Sequence, residues 1–76
     1  MKLSIRAARA QAGFTQTEVS AQTGWARSTI RRWERYETRP PLAKRKKLSA
    51  LYGVPEEEIE WEKVKEQNAR NILLSQ

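Results

Sequence analysis

Residues 15–34 read Thr15-Gln16-Thr17-Glu18-Val19-Ser20-Ala21-Gln22-Thr23-Gly24-Trp25-Ala26-Arg27-Ser28-Thr29-Ile30-Arg31-Arg32-Trp33-Glu34. Thr15 and Glu18 stand three apart, the spacing of a capping box. The threonine hydroxyl accepts the amide of residue 18, and the glutamate reaches back to the amide of residue 15. The helix so started runs to about Thr23 and stops at Gly24. Val19 and Thr23 face inward with Ala21 or Ser20, whose small size admits a neighbouring helix. After only Gly24-Trp25-Ala26 a further helix runs from Arg27 to about Tyr36. Ile30, Trp33 and Glu34 lie at i, i+3, i+4 on one face. Arg27, Ser28, Arg31, Arg32 and Arg35 fall on the other.

Outward from this pair, the chain reads as helices cut by turn residues, with no strand pattern and no repeat. Ser4 is an N-cap for a helix to Ala12, with Gly13 at its exit. Ile5, Ala8, Arg9 and Ala12 share a face that leaves Arg6 and Gln11 outside. Phe14 is placed to staple onto Val19 or the Glu18 stem. Pro40-Pro41 breaks the chain before a fourth helix, Leu42 to Tyr52, expected to turn Leu42, Leu48, Leu51 and Tyr52 to the core before ending at Gly53. Pro55 opens a fifth helix from Glu56, where three glutamates suit the positive end of the helix dipole. Ile59 and Trp61 close the core. The expectation is an all-α, compact five-helix domain over residues 1–61. Residues 62–76 form a helical extension or loose tail, with Val64, Asn68 and Ile72 on a stripe and Ile72-Leu73-Leu74 at the end.

The chain has 76 residues, a formal charge of +6, and neither cysteine nor histidine. Disulfides, thiolate zinc sites and imidazole chemistry are thereby excluded, and the reading is of a non-enzyme with no catalytic residue, metal or cofactor. No apolar run reaches the roughly 18 residues of a membrane span, and the N-terminus lacks a signal peptide's apolar stretch, so a cytoplasmic protein is expected. Residues 1–47 carry twelve Lys and Arg against three Glu, whereas residues 48–76 carry three against six. A basic front with an acidic rear suggests a face built to meet a polyanion.

Gly13-Phe14-Thr15-Gln16-Thr17-Glu18-Val19-Ser20, Gly24-Trp25-Ala26-Arg27-Ser28-Thr29-Ile30, Trp33-Glu34, Arg39-Pro40 and Leu51-Tyr52-Gly53-Val54 together resemble the lambda-repressor/Cro-like (XRE-type) helix-turn-helix domain over about residues 3–61. The resemblance implies a third helix that enters the DNA major groove, and dimers whose reading helices lie about 34 Å apart on a pseudo-palindromic operator. Arg27, Ser28, Arg31 and Arg32 are then the base-contacting candidates, because arginine's fork matches guanine O6 and N7. About two guanines per half-site are expected. Gln16, Thr17, Arg35 and Arg39 are the phosphate candidates, with Gln16 at the open amides of a helix start. Arg9 and Glu34 are implied as a structural salt bridge, Trp33 as core and Trp25 as core filling in the turn. Ala26 departs from the usual Ser or Thr cap of the reading helix. Tyr36 stands where glycine is commoner, so the helix either runs on or leaves by a strained exit. Glu37 lies near the path of the DNA backbone, where it would weaken affinity. Lys44-Arg45-Lys46-Lys47 either touches flanking phosphates or is solvated.

These residues point to a sequence-specific, double-stranded DNA-binding transcriptional regulator: a repressor of phage or mobile-element type, associated with the nucleoid, and a homodimer. Ile59, Trp61, Val64, Ile72 and Leu73 are its candidate dimer contacts. No membrane or small-molecule partner is evident. An antitoxin or co-regulator that binds a protein partner through its tail is the alternative. Electrostatic RNA or membrane binding fits less well, since the arginines cluster on one helix instead of along a basic amphipathic stripe.

Overall fold

Ser4 begins the helical part of the chain: its Oγ accepts the Ala7 amide at 3.0 Å and starts α1 (Ile5–Gln11). The computed structural model describes residues 2–62. Three more α-helices come after it: α2 (Gln16–Thr23), α3 (Arg27–Glu34) and α4 (Leu42–Tyr52). The described residues are mostly helical, with four α-helices among them where five were expected. All four helices contribute to one core, with Ile5 and Ala8 from α1, Val19 from α2, Ile30 and Trp33 from α3, and Leu48 and Tyr52 from α4.

The expected fifth helix is a single 3₁₀ turn, Glu56–Glu58. It gives way to a two-residue strand, β2 (Ile59–Glu60), which pairs in parallel with β1 (Leu3–Ser4), Leu3 opposite Ile59 and Ser4 opposite Glu60. This pairing occupies backbone groups that would otherwise end at the core without partners, and it leaves Ile59 only 1% exposed. A helix continuing past Glu58 would have drawn Ile59 away from that register. Trp61 Nε1 donates to the Glu56 carbonyl at 3.0 Å and closes the segment.

One inward assignment changes as well, and one alternative is resolved. Leu42 is 68% exposed, because it lies six positions before Leu48, off the face that buries Leu48 and Tyr52. That face continues instead through Lys44 and Arg45, which are half-buried along their stems. In α2 it is Ser20, and not the exposed Ala21, that lies toward the neighbouring helix. Phe14 packs on the core and tilts against Tyr52, with ring centroids 6.3 Å apart.

Helix α3 stops at Glu34 and does not reach Tyr36. The Tyr36 amide donates to the Trp33 carbonyl at 3.1 Å, and the Glu37 amide reaches back to the Arg32 carbonyl at 2.9 Å. Such a closure needs a left-handed residue, and Tyr36 supplies it with φ +60°. A side chain held there costs about 1 kcal/mol. Tyr36 is kept in place by half-burial against the core and by its hydroxyl, which donates to the Glu60 carbonyl at 3.3 Å. The strained exit is the one that forms.

The Tyr52 hydroxyl is buried with no hydrogen-bond partner among the described residues. Burial, aided by the nearby Glu34 carboxylate and opposed by Arg9, pushes it from the ordinary 10 up to about 12. The folded state therefore disfavours the phenolate. Stability from this group is intact below about pH 10 and is lost as pH climbs toward 12. Tyr52→Phe is expected to remove that alkaline loss and to raise stability at neutral pH by about 1 kcal/mol, since no bond is given up. Urea denaturation of both forms near neutrality and at about pH 11 checks both expectations; a Tyr52→Phe chain less stable than wild type at neutral pH contradicts the second.

Candidate nucleic-acid interface

Both hydrogen bonds of the capping box are formed. The Glu18 amide donates to Thr15 Oγ1 at 3.1 Å and the Thr15 amide to Glu18 Oε1 at 2.8 Å. Gly24, at φ +79°, takes the left-handed exit of α2, and its amide donates to the Ser20 carbonyl at 2.8 Å. The turn is fixed by two hydroxyls: Ser20 Oγ donates to the Trp25 carbonyl at 2.7 Å, and Thr23 Oγ1 accepts the Trp25 amide at 3.2 Å. Trp25 is half-buried edge-on against Trp33, with centroids 5.5 Å apart. The start of α3 is thus set by the turn and not by its own cap, for Ala26 offers no side-chain acceptor. Ala26→Ser is expected to stabilise the fold by about 1 kcal/mol, seen as a melting temperature higher by about 4–8 °C.

Helix α3 divides cleanly. Ile30 and Trp33 are 1% and 3% exposed, and the Glu34 side chain 4%. Arg27, Ser28, Arg31, Arg32 and Arg35 lie on the other side, all exposed. Ser28, Arg31, Arg32 and Arg35 line one shallow concave surface, joined by Glu37. Arg27 sits at the helix start, where its Nη1 donates to Thr17 Oγ1 at 3.3 Å. So two expected contact residues from different helices meet at one end of the surface.

Behind this surface lies a buried polar junction. Arg9 Nε donates to Glu34 Oε2 at 2.6 Å and its Nη2 to Glu34 Oε1 at 3.1 Å, while Nη1 donates to the Phe14 carbonyl at 2.8 Å. The bond to Glu34 raises the Arg9 pKa beyond its already high ordinary value. Gln16 Nε2 also donates to Glu34 Oε1, at 3.0 Å. The amide of Gln16 is therefore anchored at the first residue of α2, with its second N–H left over for another acceptor.

A family model described as helix-turn-helix matches residues 5–59 of the chain. The chain belongs to the XRE/lambda-repressor-like helix-turn-helix family. Comparison with curated proteins and with solved structures gave no match. The family is one of DNA-binding domains of transcription regulators, and double-stranded DNA is the partner that membership implies for this helix-turn-helix chain. No helix among the described residues is long and apolar enough to cross a membrane.

The helix-turn-helix unit is flanked by cations whose positions the sequence left open. Lys44 Nζ lies 5.5 Å from the Trp25 ring centroid and 5.8 Å from that of Trp33, and Lys47 Nζ lies 5.9 Å from Trp25. Arg45 lies 5.8 Å over Trp61 and donates to the Pro40 carbonyl at 2.8 Å. Three of the four residues in the basic run are thus seated on aromatic faces, a favourable cation–π placement. Their spacing was the available signal, since 44 and 47 share one helical face. Two acidic partners also emerge. Arg35 Nε is 3.1 Å from Glu37 Oε2, and Arg39 Nη1 donates to Glu62 Oε1 at 2.7 Å. Glu62 carried no signal of its own, being one glutamate in an acidic run. Ile59 is sealed in the core and so is withdrawn as a dimer contact. Val64, Ile72 and Leu73, with the rest of the tail after Glu62, lie outside the described residues.

Proposed function

We propose that this chain is a sequence-specific, double-stranded DNA-binding transcriptional regulator, acting as a repressor by occupying an operator. Helix α3 enters the major groove, with Arg27, Ser28, Arg31 and Arg32 on base edges. Gln16, Thr17, Arg35 and Arg39 meet the phosphates on either side. Residues 1–61 serve as the DNA-binding domain and 62–76 as its extension. Two copies on a pseudo-palindromic operator would bring their reading helices about one helical turn apart. Trp61 and the tail are the apolar contacts left for such a dimer. The nucleoid is then the site of action.

One observation carries this reading: α3 holds one face with Ile30, Trp33 and Glu34 while offering Arg27, Arg31, Arg32 and Ser28 on the opposite, exposed face. An arginine-bearing helix clamped from behind is what base reading needs, since a reader free to roll would lose register. Selection of bound duplexes from a random pool tests it. The expected result is a motif of two related half-sites, each containing guanines. A pool that is retained without converging on any motif would reduce the protein to a sequence-blind DNA binder.

A further inference from the structure

The three arginines that line the concave surface beside α3 are not equivalent. Arg31 and Arg32 make no ion pair among the described residues, whereas Arg35 is held by Glu37, and Arg39 in the next loop is held by Glu62. We propose that Glu37 and Glu62 are internal competitors of the DNA backbone, so that a phosphate approaching Arg35 or Arg39 must compete with a carboxylate already beside the guanidinium. This rests on the DNA-binding reading above.

Both acids arrive by built features of the fold. The Glu37 amide is bonded to the Arg32 carbonyl at 2.9 Å, immediately after the left-handed Tyr36 whose hydroxyl is tied to Glu60. That exit turns Glu37 back onto the surface of Ser28, Arg31, Arg32 and Arg35. Glu62 leaves β2 two residues after its last paired position, just past the pinned Trp61. The side chains themselves stay open to solvent, 60% and 47% exposed for Arg35 and Glu37, 61% and 52% for Arg39 and Glu62. Exposed pairs of this kind are weak and exchangeable. They can lower backbone affinity without blocking it.

The consequence is clearest in the salt dependence. An arginine that meets a phosphate releases a counterion from DNA, with a log–log slope of about −0.9 for each phosphate neutralised. When that arginine gives up a glutamate to do so, the freed carboxylate draws cations back around itself, and part of the net release is offset. Wild-type binding is then less salt-dependent than the number of arginines at the interface implies. The penalty falls on contacts that carry no sequence information, so generic DNA holds the protein less firmly.

Glu37→Gln and Glu62→Gln, each with its fold checked by circular dichroism, are titrated with a random-sequence duplex at several salt concentrations. Each is expected to bind about two- to five-fold more tightly at low salt, with a slope more negative by up to about 0.9. Glu57→Gln makes the same change of charge at an exposed residue of the 3₁₀ turn that has no ion pair among the described residues, and is expected to behave as wild type. Affinities and slopes of the first two variants equal to wild type would overturn the proposal. So would an equal gain from Glu57→Gln, because net charge alone would then account for it. A wild-type chain that binds no duplex at all would overturn the DNA-binding reading itself, an outcome distinct from either of these.

Discussion

Arg9→Ala is expected to lower the free energy of unfolding by about 3–5 kcal/mol, the range for breaking a buried ion pair by removing one partner. The Arg9 and Glu34 side chains are 13% and 4% exposed, so solvent does little to screen them. Arginine supplies two of the three hydrogen bonds on the Glu34 carboxylate, and Gln16 supplies the third. Without Arg9, a carboxylate would stay buried beside Ile30 and Trp33 with one neutral donor. The Phe14 carbonyl would lose its donor too. In a domain of this size each kcal/mol is worth about 4–8 °C in melting temperature, so most of the folded population is lost well below the wild-type midpoint. Glu34→Gln keeps an oxygen acceptor for the guanidinium and is expected to lose less. Urea denaturation of the three chains tests this ordering; an Arg9→Ala loss below about 1 kcal/mol would place the pair with ordinary surface bridges. DNA binding should fall with stability, although neither side chain belongs to the exposed face, since the junction ties α1, α2 and α3 together.

What the chain reveals before folding is what its neighbours within a turn or two determine. The Thr15–Glu18 box, the Gly24 exit and the two faces of α3 are local, and all are legible. The β1–β2 pair is not, because it joins residues 3–4 to residues 59–60 and is too short to show an alternating pattern. The surplus fifth helix has the same origin, since Pro55 and three glutamates look like a helix start wherever the next residues are free of a strand partner. Leu42 was misplaced for a different reason. Its apolar side chain suggested the core, but the buried face of α4 passes through Lys44 and Arg45, whose stems pack where an aliphatic residue was expected.

The same distinction applies to the interface. That α3 carries its arginines on one side is a matter of spacing alone. Which of them are already occupied is not, because Glu37 depends on the left-handed Tyr36 and Glu62 on the strand before it. Tyr36 connects these two acids. Its backbone ends the reading helix and aims Glu37, while its hydroxyl holds the Glu60 carbonyl of the strand that leads to Glu62. A residue that reads as a flaw in the helix exit thus positions both carboxylates.

Arg32→Ala is expected to weaken binding to the selected site by about 1–3 kcal/mol and to relax base preference at one position, the signature of a lost bidentate contact to guanine. Arg32 stands one turn beyond Ser28 on the exposed face and, unlike Arg35, has no acidic partner among the described residues to give up on binding. Arg27→Ala should do the same at a different base pair. Its guanidinium already rests on Thr17 Oγ1, so part of its ordering precedes contact with DNA. Gln16→Ala makes the comparison informative. Gln16 belongs to the backbone side of the interface, so its loss should weaken selected and random duplexes by the same factor. Repeating the selection with each variant separates the cases: a motif degenerate at one base pair per half-site marks a reader, and an unchanged motif at lower affinity marks a phosphate contact. If all three variants lose equally on random DNA and keep the wild-type motif, the arginines of α3 bind the backbone and the bases are read elsewhere.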